Sequence, residues 1–194
     1  LRGTLRVGIP DDHGSTKLAQ IVGTFARSHP QVELEIVCSI SAEFPDALSK
    51  GLLDIAIYEV EQPGENEILL HEEPTCWAAS PYRDFSAVTP LPVALFDRAC
   101  WWRDAALESL QSRSAPHRVV YSSQSVAGVK AAVEAGVAVG LLGRTSATDG
   151  LIILGRDHGF GETPPSKLVL GSNRHATSKA ADTMRQVIQS AFHA

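Results

Sequence analysis

The chain has 194 residues, with 17 Lys+Arg against 22 Asp+Glu and a formal net charge of -5. That length holds one good-sized domain or two small lobes, and 44% hydrophobic with 20% charged residues is an ordinary globular balance that excludes disorder, collagen and coiled coil. The acidic surplus argues against this chain gripping a phosphate backbone by itself, and no apolar run approaches the ~18 residues of a membrane-spanning helix.

The opening on Leu1 rather than Met, with a strand at Leu5–Ile9 almost at once, is expected of a piece of a longer chain or of a processed form, with a leader or a whole N-terminal domain removed. Leu5–Ile9 alternates and carries β-branched residues. Pro10-Asp-Asp-His-Gly-Ser15 has turn chemistry. Leu18, Ile21, Val22 and Phe25 then form one face of a helix that Pro30 stops. Val32–Cys38 is predicted as a strand, Glu43–Lys50 as a short helix closed by Gly51, and Asp54–Tyr58 as a strand apolar enough to be buried on both faces. Strand, helix, strand, helix, strand is the order of a parallel sheet.

A second copy of that order follows: Leu91–Phe96, Ala99–Gln111, Arg118–Tyr121, Ser125–Ala135 closed by Gly136, and Val137–Leu142. The repeat lies in architecture, since the two copies do not match in sequence. Glu72–Ser80 and Lys167–Gly171 read as extended crossings, with the Pro164-Pro165 break before the second, and Ser178–Phe192 as a last amphipathic helix. The expected fold is α/β, with two Rossmann-like lobes joined by two crossing strands. Lobe I comprises 1–79 and 166–194 and lobe II 80–165, with a ligand cleft lined by the carboxyl ends of strands.

Cys38, Cys76 and Cys100 are odd in number and widely spaced, which reads as reduced thiols of a cytosolic protein rather than a secreted disulfide framework. Enzyme signals are weak. His71-Glu-Glu-Pro-Thr lacks the second histidine of a zincin motif, none of the seven histidines pairs at helical spacing, and Asp157-His158 has no nucleophile nearby in sequence. Nucleophile-elbow and P-loop patterns are absent, and the glycines of 155–161 read as a flexible loop. Neither a metal nor a cofactor is expected.

An ordered series of motifs then stands out: Leu1-Arg-Gly-Thr-Leu-Arg-Val-Gly8, Phe25…His29-Pro30, Val32-Glu-Leu-Glu-Ile36, Leu48-Ser-Lys-Gly-Leu-Leu-Asp-Ile-Ala-Ile57, Leu70…Glu73…Trp77 and Val133-Glu-Ala-Gly-Val-Ala-Val-Gly-Leu141. Over its whole length the chain resembles the effector-binding domain of LysR-type transcriptional regulators. The resemblance implies a fold like a type 2 periplasmic binding protein and a cytoplasmic location. It also implies a small-molecule effector, a homodimer or homotetramer, and promoter DNA contacted only through an N-terminal winged helix-turn-helix that this chain lacks. A periplasmic solute-binding protein of the same fold is the alternative, and an enzyme on this fold a more distant one.

Candidate effector residues come from this mixed warrant. Asp11 and Asp12 suit either turn formation and helix capping or, by the resemblance, a polar contact favouring an amine or hydroxyl over a carboxylate placed against it. Ser39 and Ser41 suit either capping or hydrogen bonding to an effector at a helix start. Trp102 and Arg103, next to Trp101, suit either a core indole with a surface ion pair to Asp104 or Glu108, or a cleft wall whose guanidinium grips a carboxylate. Ser123 and Ser125 are the second-lobe counterparts of Ser39 and Ser41. Cys76 beside Trp77 leaves redox sensing open, though nothing nearby but His71 would lower its pKa.

Overall fold

The computed structural model describes residues 3–10, 15–97, 100–147 and 150–193. The chain divides into two compact lobes, one of Leu1–Glu72 with Lys167–Ala194 and one of Glu73–Ser166. The first lobe contains β1 (Gly3–Pro10), α1 (Ser15–Ser28), β2 (Val32–Ser39), a 3-10 turn at Ser41–Glu43 running into α2 (Phe44–Ser49), β3 (Ile55–Val60), β4 (Ile68–Glu73), β10 (Ser166–Ser172) and α5 (Lys179–His193). Its five-stranded sheet has the order β2-β1-β3-β10-β4. β1 pairs in parallel with both β2 and β3, while β10 runs antiparallel to β3.

Alternation along β1 sends Leu5, Val7 and Ile9 into one core, where they meet Ile21 and Phe25 of α1 and Ala181, Met184 and Ile188 of α5. The opposite face packs Ala56, Tyr58 and Val169 against Phe44 and Leu48 of α2. Helices on both faces are what a largely parallel sheet requires.

The second lobe contains β5 (Thr75–Ala79), β6 (Leu91–Phe96), α3 (Trp101–Gln111), β7 (His117–Ser123), α4 (Val126–Glu134), β8 (Val139–Gly143), β9 (Ile152–Leu154) and a 3-10 turn at Arg156–His158. Its sheet order is β7-β6-β8-β5-β9, with β6 parallel to β7 and β8, and β5 antiparallel to β8 and β9. One face buries Trp77, Val93, Leu95, Trp102, Leu110 and Phe160; the other is built from Ala78, Ala94, Val129, Val133 and Leu142. Gly51 and Gly136 end α2 and α4 with φ near +70° and +68°. Both accept the left-handed turn that closes a helix at little steric cost.

The duplicated order and the helix-closing glycines follow the sequence reading. Two boundaries need correction. Glu72–Ser80 is not one crossing strand, because Pro74 separates β4 from β5 and has no N–H to offer a ladder. Thr75–Ala79 therefore belongs to the second lobe, hydrogen-bonded to β8 and β9, and the first lobe's opening segment ends at 72 rather than 79. The predicted helix Glu43–Lys50 begins instead with the 3-10 turn, and β9 was not expected.

Candidate functional site

In a parallel sheet the residues that end the strands lie on one rim. In the first lobe, Pro10 at the end of β1 is in register with Ser39 at the end of β2. Asp11 and Asp12, which follow Pro10, lie outside the described residues. The Ser39 hydroxyl donates to Glu43 Oε2 at 2.8 Å. Ser41 Oγ accepts the backbone N–H of Glu59, near the end of β3, at 2.6 Å. Ser41 is thus tied to a neighbouring strand end rather than serving as the cap of a helix: the 3-10 turn that it begins has no side-chain cap.

In the second lobe, Phe96 at the end of β6 is in register with Ser123 at the end of β7, and the Asp97 N–H donates to the Ser123 carbonyl at 3.0 Å. Ser125 caps α4: its Oγ accepts the Gly128 N–H at 3.1 Å. Ser123 Oγ accepts the Ser125 N–H at 3.3 Å. The Ser123 side chain lies so close over Gly128 that a Cβ there would overlap its Oγ. This close approach accounts for a glycine inside the first turn of α4.

Arg103, in the first turn of α3, donates from Nη1 to the Phe96 carbonyl. The structure therefore brings Arg103, Ser123 and Ser125 to one rim, and it gives Arg103 a strand-end carbonyl where the sequence offered Asp104 or Glu108. Trp102 is a different case. It is buried, 6% exposed, in the lobe's core, with its ring 5.9 Å from Phe96 and 4.7 Å from Trp101. The expectation that Trp102 lines an open wall is corrected: its indole packs behind the rim and supports Phe96. The side chains of adjacent helical residues diverge by ~100°, yet the two indoles meet because Trp101 folds over Trp102 at 32°.

The hydroxyl groups of Ser41, Ser123 and Ser125 each accept a backbone N–H, and none of their protons meets an acceptor among the described residues. A serine hydroxyl fixed in this way keeps its donor for a ligand. The Glu43 carboxylate beside Ser39 makes the first rim acidic, whereas Arg103 gives the second rim a cation. Among the described residues no group of three or more His, Cys, Asp or Glu could hold a metal ion. Sequence reasoning missed the tie between Ser41 and the Glu59 backbone, because that bond spans 18 residues and leaves no local pattern.

The model of the LysR substrate binding domain matches residues 1–193. The chain belongs to the LysR substrate-binding domain family. Curated relatives agree with that family. The HTH-type transcriptional regulator DgdR of Burkholderia cepacia is 30% identical over 192 residues, which cover 97% of this chain and 65% of that protein. PecT of Dickeya dadantii, also named an HTH-type transcriptional regulator, is 24% identical over 190 residues, covering 98% and 60%. The chain thus spans less than two thirds of the length of these relatives. Among solved structures, the OxyR2 E204G regulatory domain from Vibrio vulnificus aligns with a TM-score of 0.72 at 15% identity, covering 99% of this chain and 95% of that one. The C-terminal domain of a probable LysR family regulator from Rhodococcus sp. RHA1 aligns with a TM-score of 0.70 at 17% identity, covering 97% and 99%. At such identities these structures establish the fold, and it is the LysR regulatory-domain fold. The reading as a LysR-type domain holds over the periplasmic solute-binding alternative.

Proposed function

We propose that this domain senses a small polar or anionic effector and carries out no chemistry on it. Contacts come from Ser39 and Ser41 in the first lobe and from Arg103, Ser123 and Ser125 in the second, with Asp11 and Asp12 as further polar groups. The observation that carries the proposal is the set of hydroxyls of Ser41, Ser123 and Ser125, each held by a backbone N–H with its proton uncommitted among the described residues. Arg103 adds a guanidinium suited to a carboxylate or phosphate. The acidic first rim disfavours an anionic group directly against it and favours an amine or hydroxyl there.

In this reading the effector shifts the population of two states of a longer regulator. A coupling of ~1–3 kcal/mol is enough for such a switch. DNA is contacted by a helix-turn-helix elsewhere in that regulator, as the names of the relatives suggest and the charge of -5 favours. The regulator would act in the cytoplasm as a homodimer or homotetramer. Thermal-shift screening of small acids and amino acids tests the site, because any ligand of the native state raises its melting temperature. Ser41→Ala and Arg103→Ala are each expected to weaken a stabiliser about tenfold, the ~1.4 kcal/mol of one lost charge-assisted or well-formed hydrogen bond. Unchanged affinity in both variants would overturn the assignment.

A further inference from the structure

The second lobe has a cavity at its other pole. β6 begins at Leu91 and β7 at His117, and the Leu91 N–H donates to the Pro116 carbonyl at 2.9 Å. Leu91 and Pro116 both line a hollow of about 410 Å³. It therefore lies at the amino ends of the parallel strands, away from the Phe96 and Ser123 rim. Its volume is in the range of small-molecule pockets. Phe85, Val88, Leu91, Leu154 and Phe160 make its wall apolar and partly aromatic.

One charged group in that wall lacks a counterpart. The Arg113 guanidinium stacks on the Phe160 ring, 4.0 Å from its centroid. Its Nη1 is buried without an acceptor, and no ion pair or side-chain hydrogen bond is formed by Arg113 among the described residues. Partial burial lowers its pKa from the ordinary value. The other charged lining groups are differently placed. Arg83 donates from Nη1 to the Gly136 carbonyl and stacks on Phe85, and Asp84 accepts the Ser86 N–H at 2.8 Å. Asp157 and His158 also line the hollow, and His158 Nδ1 accepts the Gly155 N–H at 3.3 Å. The lining thus carries two arginines and two aspartates, and of the two guanidinium groups Arg83 has a carbonyl partner while Arg113 has none among the described residues. Buried polar groups are normally paired, so an unpaired guanidinium in an aromatic pocket points to a missing acceptor.

We propose that this cavity is a second small-molecule site, which takes a compact monocarboxylate with an apolar or aromatic body and pairs its carboxylate with Arg113. The ring would pack against Phe85 and Phe160 while the carboxylate meets the guanidinium edge, a charge-assisted pair in a low-dielectric wall. The site does not depend on the rim contacts proposed above.

Titration of the isotope-labelled 194-residue chain with benzoate, benzamide and benzylamine, followed through the amide signals of Phe85, Leu154 and Phe160, tests this. Benzoate is expected to shift these signals saturably, and benzamide and benzylamine to bind at least tenfold more weakly. Arg113→Gln should remove the preference for benzoate over benzamide. Ile152→Trp, at an exposed lining position, should weaken benzoate tenfold without disturbing the core, which guards against a misfolded Arg113 variant. Arg103→Ala should leave benzoate binding here unchanged. The proposal is overturned by no saturable shift at about 10 mM benzoate, a concentration that would reveal even millimolar affinity. Equal binding of benzamide, an unchanged affinity in both variants, or shifts confined to the Ser41 and Ser123 rims would overturn it as well.

Discussion

The two lobes share a sheet plan and differ in what covers it. Each has a central strand with parallel neighbours on both sides, followed by a strand antiparallel to the third: β10 in the first lobe and β5 in the second. In the first lobe α1 and α5 together cover one face, and the buried side chains there are aliphatic apart from Phe25 and Met184. In the second lobe α3 covers the corresponding face alone. The remainder is filled by Trp77, Trp102 and two loop phenylalanines, Phe85 and Phe160. The second lobe's cavity is bordered by two of these rings, Phe85 and Phe160. One topology thus tolerates two covering strategies, a helix pair in one lobe and a helix with loop-borne aromatic rings in the other.

The sharpest way to break this comparison is to remove the aromatic filler. Trp77 is 1% exposed, its ring is 5.1 Å from Phe160, and its indole N–H donates to Ser109 Oγ at 2.9 Å inside the core. Trp77→Ala is expected to cost about 3–5 kcal/mol, and Ser109→Ala about 1–3 kcal/mol, because the indole N–H is left buried and unpaired. Urea denaturation measures both. If Trp77→Ala cost less than about 1 kcal/mol, well below the range for a large buried ring, the second lobe would not depend on its aromatic filling.

A smaller effect tests the α4 cap, which has a serine cap, a serine above it and a glycine beneath. Ser125→Ala is expected to cost about 1 kcal/mol through loss of the cap. Gly128→Ala drives a methyl group into the Ser123 side chain and should cost about 1–3 kcal/mol through overpacking. Ser123→Ala combined with Gly128→Ala should recover part of that loss, since it clears the overlap with Oγ and leaves the Ser123 Cβ at 2.7 Å from the new methyl group. Denaturation midpoints of the single and double variants check this, and additivity would show that Ser123 and Gly128 do not press on one another.

Much of this architecture could be read from local pattern. Leu91–Phe96 is an uninterrupted apolar run and is a strand over those same residues. Gly51 and Gly136 close their helices because only a left-handed residue completes the turn cheaply. Glu72–Ser80 reads as one strand because its extended pattern runs across Pro74, and composition does not show that the proline hands the chain from one sheet to the other. The site was less legible. Ser123 and Ser125 sit at a strand end and a helix start, as their spacing implies. The full burial of Trp102 and the half-burial of Trp101 depend on the helix phase against the sheet, which a Trp-Trp-Arg cluster does not state. Arg113 meets Phe160 across 47 residues of chain, and no periodicity encodes such a meeting.

The smallest expected effect leaves stability untouched and reads out the two coverings by chemistry. Cys38 lies on β2, at the edge of the first sheet, and is exposed, while Cys76 lies on β5, inside the second sheet, and is 8% exposed. Burial pushes the Cys76 thiol above its ordinary pKa, and Glu73 adds to that, although the Arg144 guanidinium pulls the other way. The thiolate is the reactive form, so Cys76 combines low access with a low thiolate fraction at neutral pH. Iodoacetamide should modify Cys38 first in the native chain and reach Cys76 only slowly. The Cys76 rate should keep rising with pH beyond the ordinary thiol range, since a raised pKa postpones ionisation. Arg144→Gln removes the one opposing charge and should slow Cys76 further at neutral pH. Mass spectrometry of timed samples resolves the two sites. Fast labelling of Cys76 at neutral pH would mean that the second lobe opens at β5 far more readily than its buried Trp77 and double-sided pairing imply, and it would return Cys76 to consideration as a redox-responsive thiol.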